Sequence, residues 1–208
     1  GSGLGRFFDA LCGYDWKTLI QRQGFNLVYL LGVFDNRSPI MVTSEKEENL
    51  DPKSPDRTPS PFAIFDHHAL NPEFGTEKSF NKLVSTIQGY GAKVIVDYVA
   101  NHTAVNHPWV KDHPDYYVKD PSSPLGLKQE FSGDVLKLDY TNPDLLEEQL
   151  KILEKIQTLG VDGIRCDMAH YVPLNFWERA IKEVKSRNPA FAFIAEAYSD
   201  SVFSWNTL

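Results

Sequence analysis

The sequence predicts an α/β fold in which helices cover a parallel sheet, and three observations carry that prediction. Apolar runs alternate with helical patterns, the runs are nearly continuous in apolar residues, and acidic residues stand at their C-terminal ends. A run that is apolar on both sides is buried on both faces, which helices packed over a parallel sheet provide. Asp97, Asp167 and Glu196 each close a different run. In an eight-stranded (β/α)8 barrel those ends converge on one face, where the active sites of such barrels lie. The competing doubly wound sheet calls for a glycine-rich turn after its first strand, and GVFDNRSP (32–39) offers none.

Each element follows from its local pattern. DWKTLIQRQG (15–24) reads as a helix stopped by Gly24, and NLVYLLGVF (26–34) as a continuous strand buried on both faces. From Asp35 to Pro61 the chain turns polar, with Pro, Ser, Asp and Glu crowded into TSEKEENLDPKSPDRTPSP, which predicts a solvated excursion and no second domain. EKSFNKLVSTIQGYG (77–91) sets Phe80, Leu83, Val84 and Ile87 on one helical face, and AKVIVDYV (92–99) follows as a strand. An irregular insert is expected over about residues 103–138. NPDLLEEQLKILEKIQTLG (142–160) is a helix with an acidic first turn, VDGIRCDM (161–168) a strand, LNFWERAIKEVKSR (174–187) a helix and AFAFIAEAY (190–198) a strand. Helix and strand thus alternate strictly, and residues 1–208 read as one catalytic-type domain.

Composition narrows the partners. The 208 residues are 42% apolar and 24% charged, enough for one sizeable core. A net charge of −7 argues against nucleic acid and anionic membranes, which are bound largely through Lys and Arg, and favours a neutral substrate. The two cysteines, Cys12 and Cys166, build neither a disulfide framework nor a zinc site. No apolar run reaches the roughly 18 residues of a membrane helix, and the GSG opening does not read as a signal peptide. A cytoplasmic setting is the expectation.

Arg165 and Asp167 lie two apart in a strand and so share a face. In a low-dielectric pocket Arg165 is expected to keep Asp167 ionised, as a nucleophile needs, while Glu196, with no cation beside it in FIAEAY, is more easily kept protonated. One base-like and one acid-like carboxylate side by side is the requirement of retaining glycoside hydrolysis. A structural ion pair is the alternative reading of Arg-x-Asp alone.

At these residues the chain resembles the α-amylase family, glycoside hydrolase family 13. DYVANH (97–102), GIRCDMAH (163–170) and AEAY (195–198) are similar, in order, to its first three characteristic regions. FAIFDHHALNPEFGT (62–76) resembles the stretch before the first region, and VLKLDYTNPD (135–144) the short region in the insert. WKTLIQRQGFNLVYLLGVF (16–34) with HPWVKDHPDYY (107–117) is most like the maltosyltransferase-like and intracellular members.

The resemblance implies an α-glucan substrate, oligosaccharide or polysaccharide, and a TIM barrel. It makes Asp167 the nucleophile and Glu196 the general acid/base, with Arg165 orienting Asp167, Asp97 supporting the site and His102 donating a hydrogen bond to the sugar. Hydrolysis and transglycosylation both remain open, since acceptor subsites decide between them. No organic cofactor is required. Calcium is the one ion the resemblance admits, through Asn101.

Phe62 stands where the family often has a sugar-stacking Tyr, and His170 where many amylases have a Lys. His67 and His68 follow Asp66, but adjacent residues of an extended chain point apart, which favours a surface or cleft-wall role over metal binding. The runs correspond to strands two to five of a barrel that needs eight strands and about 250 residues. The barrel is therefore expected to be incomplete in this chain, with the family's third carboxylate, in a His-Asp pair after the seventh strand, beyond Leu208. Open edges predict little activity and self-association for residues 1–208 alone. Rival readings are a non-catalytic carbohydrate-binding or transporter-associated relative, and a metal-dependent barrel hydrolase; the latter needs more His or Asp ligands at strand ends than are present.

Overall fold

The computed structural model describes residues 6–36, 60–131 and 133–198; most of the polar excursion predicted over 35–61 lies outside them. Nine strands and five α-helices appear among the described residues. The strands are β1 (Leu27–Leu30), β2 (Phe34–Asp35), β3 (Asp66–Leu70), β4 (Lys93–Val99), β5 (His102–Ala104), β6 (Gln129–Glu130), β7 (Val135–Lys137), β8 (Gly163–Asp167) and β9 (Ala192–Ala195). The helices are α1 (Phe7–Cys12), α2 (Glu77–Gly89), α3 (Trp109–Asp112), α4 (Pro143–Thr158) and α5 (Leu174–Arg187).

The main sheet is parallel, in the order β1-β4-β8-β9. Helices α2, α4 and α5 make its crossovers, the arrangement expected of four strands of a (β/α)8 barrel. Register places Tyr29 beside Ile95, Ile95 beside Gly163 and Gly163 beside Ala192. A Cβ on Gly163 would come within 2.5 Å of Ala192 O, so glycine is what lets β8 and β9 approach here.

The helices bury the faces their periodicity predicts. In α2, Phe80, Leu83, Val84 and Ile87 are buried, and its start is fixed by a reciprocal cap in which Ser79 N donates to Thr76 Oγ1 and Thr76 N to Ser79 Oγ. In α4, Asn142 Oδ1 accepts from Asp144 N, with Pro143 opening the first turn. These helices and α5 pack on the outer face of the sheet, where Val94, Val96, Tyr98, Ile164 and Cys166 join one continuous core. No described helix is long and apolar enough to cross a membrane.

The helix predicted at 15–24 forms, as a π-helix over Lys17–Arg22. Four other expectations are corrected. The run 26–34 is not one strand buried on both faces: Gly32, at φ +65°, breaks it, and β2 turns to pair antiparallel with β3. Among the described residues β1 is the border of the main sheet, and Leu27 and Tyr29 on its inner face are each 41% exposed. Alternation is therefore not strict.

The insert is not irregular: β5, β7 and β6 form a small antiparallel sheet over its own core of Tyr116, Tyr117, Leu127, Leu136, Leu138 and Leu145. Strands of two or three residues are too short to show a period.

His67 is in the core and not at the surface. It bonds Val99 O at 3.1 Å and His107 at 3.4 Å, while His68 is exposed and pairs with Glu148. Trp109 N donates to His107 Nδ1, so the His107 proton sits on Nε2 and is donated to His67 Nδ1, and His67 Nε2–H is left for Val99 O. Burial keeps both imidazoles neutral, with pKa values lowered to about 4 for His67 and about 2 for His107. This relay ties the insert to the end of β4.

Candidate active site

Parallel strands put alternate residues on alternate faces, so Asp97 on β4 and Arg165 and Asp167 on β8 all lie on the inner face of the sheet. Asp97 and Arg165 are register partners. Glu196 follows β9 by one residue and is held in line by its N–H to Cys166 O and its carbonyl to Ala169 N.

One guanidinium gathers the carboxylates. Arg165 Nη1 donates to Asp97 Oδ1 at 2.9 Å and to Asp167 Oδ1 at 2.7 Å, and Nη2 pairs with Glu196 Oε2 at 2.7 Å. Its Cζ lies over the Phe62 ring, 5.2 Å from the centroid. Asp97 is held further by the Tyr29 hydroxyl at 2.6 Å and by Gly32 N. Asp97 and Asp167 leave Arg165 more firmly protonated than usual although burial opposes this, and burial together with the Asp97 hydrogen bond raises the Tyr29 phenol.

The sequence-based split between an ionised Asp167 and a cation-free Glu196 is corrected here. Arg165 touches both, because a planar fork with separate nitrogens reaches two strands at once. Burial is the larger influence on Asp167 and lifts its pKa to about 6, although Arg165 pulls the other way. Glu196 Oε2 also accepts from Met168 N at 2.9 Å, and Met168 holds the left-handed conformation, φ 46°, that aims this N–H at the carboxylate.

Asp167 presents two unlike oxygens. Oδ1 is held by Arg165, whereas Oδ2 is buried and has no hydrogen-bond partner among the described residues. Asp167 lines a cleft of about 360 Å³, within the range of small-ligand sites, together with Phe62, His102, Phe131, Arg165, Met168 and Glu196. His102 is buried and neutral, its pKa lowered to about 3 chiefly by burial. Asn101 Nδ2 donates to its Nδ1 at 3.1 Å, which leaves the His102 proton on Nε2.

Not every expected residue lines this cleft. His170 lies behind it, with Nδ1 3.4 Å from Glu196 O and its ring against Tyr171 and Tyr198. Asn101 is fully buried, and the oxygen by which it would hold calcium accepts a hydrogen bond from the Lys137 ammonium. No group of three or more His, Cys, Asp or Glu among the described residues is placed to hold a metal ion. The residues present at Asn101 do not fit calcium.

Tyr29, Met168 and Phe131 were not expected in the site. Tyr29 could have been read from its alternation toward the inner face. Phe131, 62% exposed with φ 53° and its ring 5.4 Å from His102, left no signal in an insert without periodicity.

The fold and site define a βα-barrel domain whose acidic cleft lies at the C-terminal ends of its strands. The chain belongs to the α-amylase family: residues 19–201 match the alpha amylase catalytic domain. It is 32% identical over 190 residues to an alpha-1,4-glucan:maltose-1-phosphate maltosyltransferase of Mycolicibacterium smegmatis, covering 86% of this chain and 26% of that protein. The chain thus spans about a quarter of the length of this curated relative. A maltogenic alpha-amylase of Thermotoga neapolitana superposes with a TM-score of 0.77 at 26% identity, covering 98% of this chain and 44% of that one. An alpha-amylase of Lactobacillus plantarum gives 0.72 at 29% identity, with coverages of 91% and 42%.

Proposed function

We propose that the whole protein acts on α-glucans by a retaining double displacement, with Asp167 as nucleophile and Glu196 as general acid/base. The observation that carries this reading is Asp167, which lines one cleft with Glu196 and keeps its buried Oδ2 without a hydrogen-bond partner among the described residues. Oδ2 attacks the anomeric carbon as the bond to the leaving oxygen breaks, and Glu196 gives that oxygen its proton. Arg165 and Met168 N hold Glu196 Oε2, which leaves Oε1 to carry the proton. In the second step an acceptor hydroxyl loses its proton to Glu196 and attacks the same carbon, releasing Asp167. Two inversions give retention.

Arg165, Asp97 and Tyr29 act as positioning groups for Asp167. His102 gives a sugar hydroxyl the ring N–H that the Phe62 main chain accepts in this structure, and Phe62 and Phe131 offer ring faces. With water as acceptor the enzyme is an α-amylase-like hydrolase. The names of the relatives favour a second reading, transfer of a maltosyl unit from maltose 1-phosphate to an α-1,4-glucan.

The test supplies the whole protein with a maltooligosaccharide, alone and with maltose 1-phosphate, and follows products by proton NMR. An α-configured first product supports double displacement, and glucan elongation with phosphate release selects transfer. A β-configured first product would overturn the mechanism.

A further inference from the structure

Beside the cleft lies a cation that the catalytic reading does not use. Lys137, at the end of β7, donates from Nζ to Asn101 Oδ1 and to Tyr171 O at 3.2 Å, and stands 5.5 Å from the Tyr171 ring centroid. The other end of the Asn101 amide donates to Glu130 Oε2 at 2.9 Å and to His102 Nδ1. These contacts leave no freedom in the amide's orientation: an ammonium only donates and a carboxylate only accepts, so Oδ1 must face Lys137 and Nδ2 must face Glu130.

The cluster joins the turn after β4, the insert and the turn after β8. Its acceptors are an amide oxygen and a main-chain oxygen; burial lowers the Lys137 pKa, and the Glu130 carboxylate works against that to favour the charged form. Oxygens of this kind suit a hard cation, and here one is supplied by the chain itself. A dication at Asn101 would have to displace the ammonium and would be repelled by it.

We infer that Lys137 is a built-in cation serving the structural purpose of a bound metal ion: it fastens the insert to the barrel strands and, through Asn101, sets the tautomer and orientation of His102. Lys137 is thus a positioning residue for the cleft, and this part of the fold stands without calcium. The inference does not depend on which sugar the site takes.

The experiment measures thermal unfolding of the purified protein with EDTA, without additive and with excess CaCl2, for wild type, Lys137→Arg, Lys137→Met and Lys137→Asp. Wild type should melt at one midpoint in all three conditions. Lys137→Met should melt several degrees lower whatever the calcium level, and Lys137→Arg should recover most of the loss. Lys137→Asp, which replaces the cation with an oxygen ligand, should melt lower in EDTA and be restored by CaCl2. A wild-type midpoint that rises with CaCl2 or falls with EDTA would overturn the inference even if the variants failed to fold. So would a Lys137→Met protein as stable as wild type.

Discussion

The two faces of the main sheet are built from the same strands and do opposite work. On the outer face Val94, Val96, Tyr98, Ile164 and Cys166 are buried against helices. On the inner face the alternate residues are Tyr29, Asp97, Arg165, Asp167 and Ile194, charged and linked at one end and partly exposed at the other. A strand's two-residue period allows this division without compromise, because a change on one face leaves the other in register. Stability is gathered on the face that touches helices, and chemistry on the face that touches the cleft.

The comparison breaks most sharply at Asp167. Asp167→Asn in the whole protein should lower turnover on the order of 10³-fold or more while substrate affinity changes little, since a nucleophile acts mainly in the transition state. Steady-state kinetics with a maltooligosaccharide check this, and near-normal turnover would remove the assignment. Phe176→Ala, on α5 and buried in the outer core, should do the reverse. It should cost about 3–5 kcal/mol of unfolding free energy in a denaturant titration while leaving the pH profile of the remaining folded enzyme in place.

The third effect is smaller and concerns pH. The attacking group must be a carboxylate, and the folded-state pKa of Asp167 is raised to about 6, chiefly by burial. The sign follows: on the acid side kcat/KM should fall about tenfold per unit of pH below that value. A profile flat down to the ordinary carboxylate range would show that burial does not govern Asp167. The smallest effect is on assembly. β1 and β9 border the sheet, and Tyr29, Leu27 and Ile194 are exposed on its inner face among the described residues. Residues 1–208 expressed alone should therefore sediment heavier than a monomer, with β1 and β9 as the pairing edges.

The outer face was legible in the sequence and the inner face only in part. Helix α5 occupies the predicted 174–187, and α2 and α4 end within two residues of their predicted limits, because a repeated apolar stripe is a strong local signal. Arg165 and Asp167 were legible together because two residues in one strand share a face. The contact between Arg165 and Glu196 joins residues 31 apart through sheet register, and no local pattern encodes it. His67 misled for a related reason: the sequence shows that neighbouring side chains diverge, but not which one enters the core. The Lys137 contact with Asn101 needed the insert's short strands, which are silent in the sequence.

The central claim is that Asp167 becomes covalently bonded to the sugar. α-Maltosyl fluoride carries a leaving group that needs no acid, so the whole protein with Glu196→Gln should form the glycosyl-enzyme and, lacking its base, release it slowly. Digestion and mass spectrometry of that reaction should place one maltosyl group on Asp167, and Asp167→Asn with Glu196→Gln should carry none. A label on another residue, or fluoride release with a β-configured product and no label, would contradict the account.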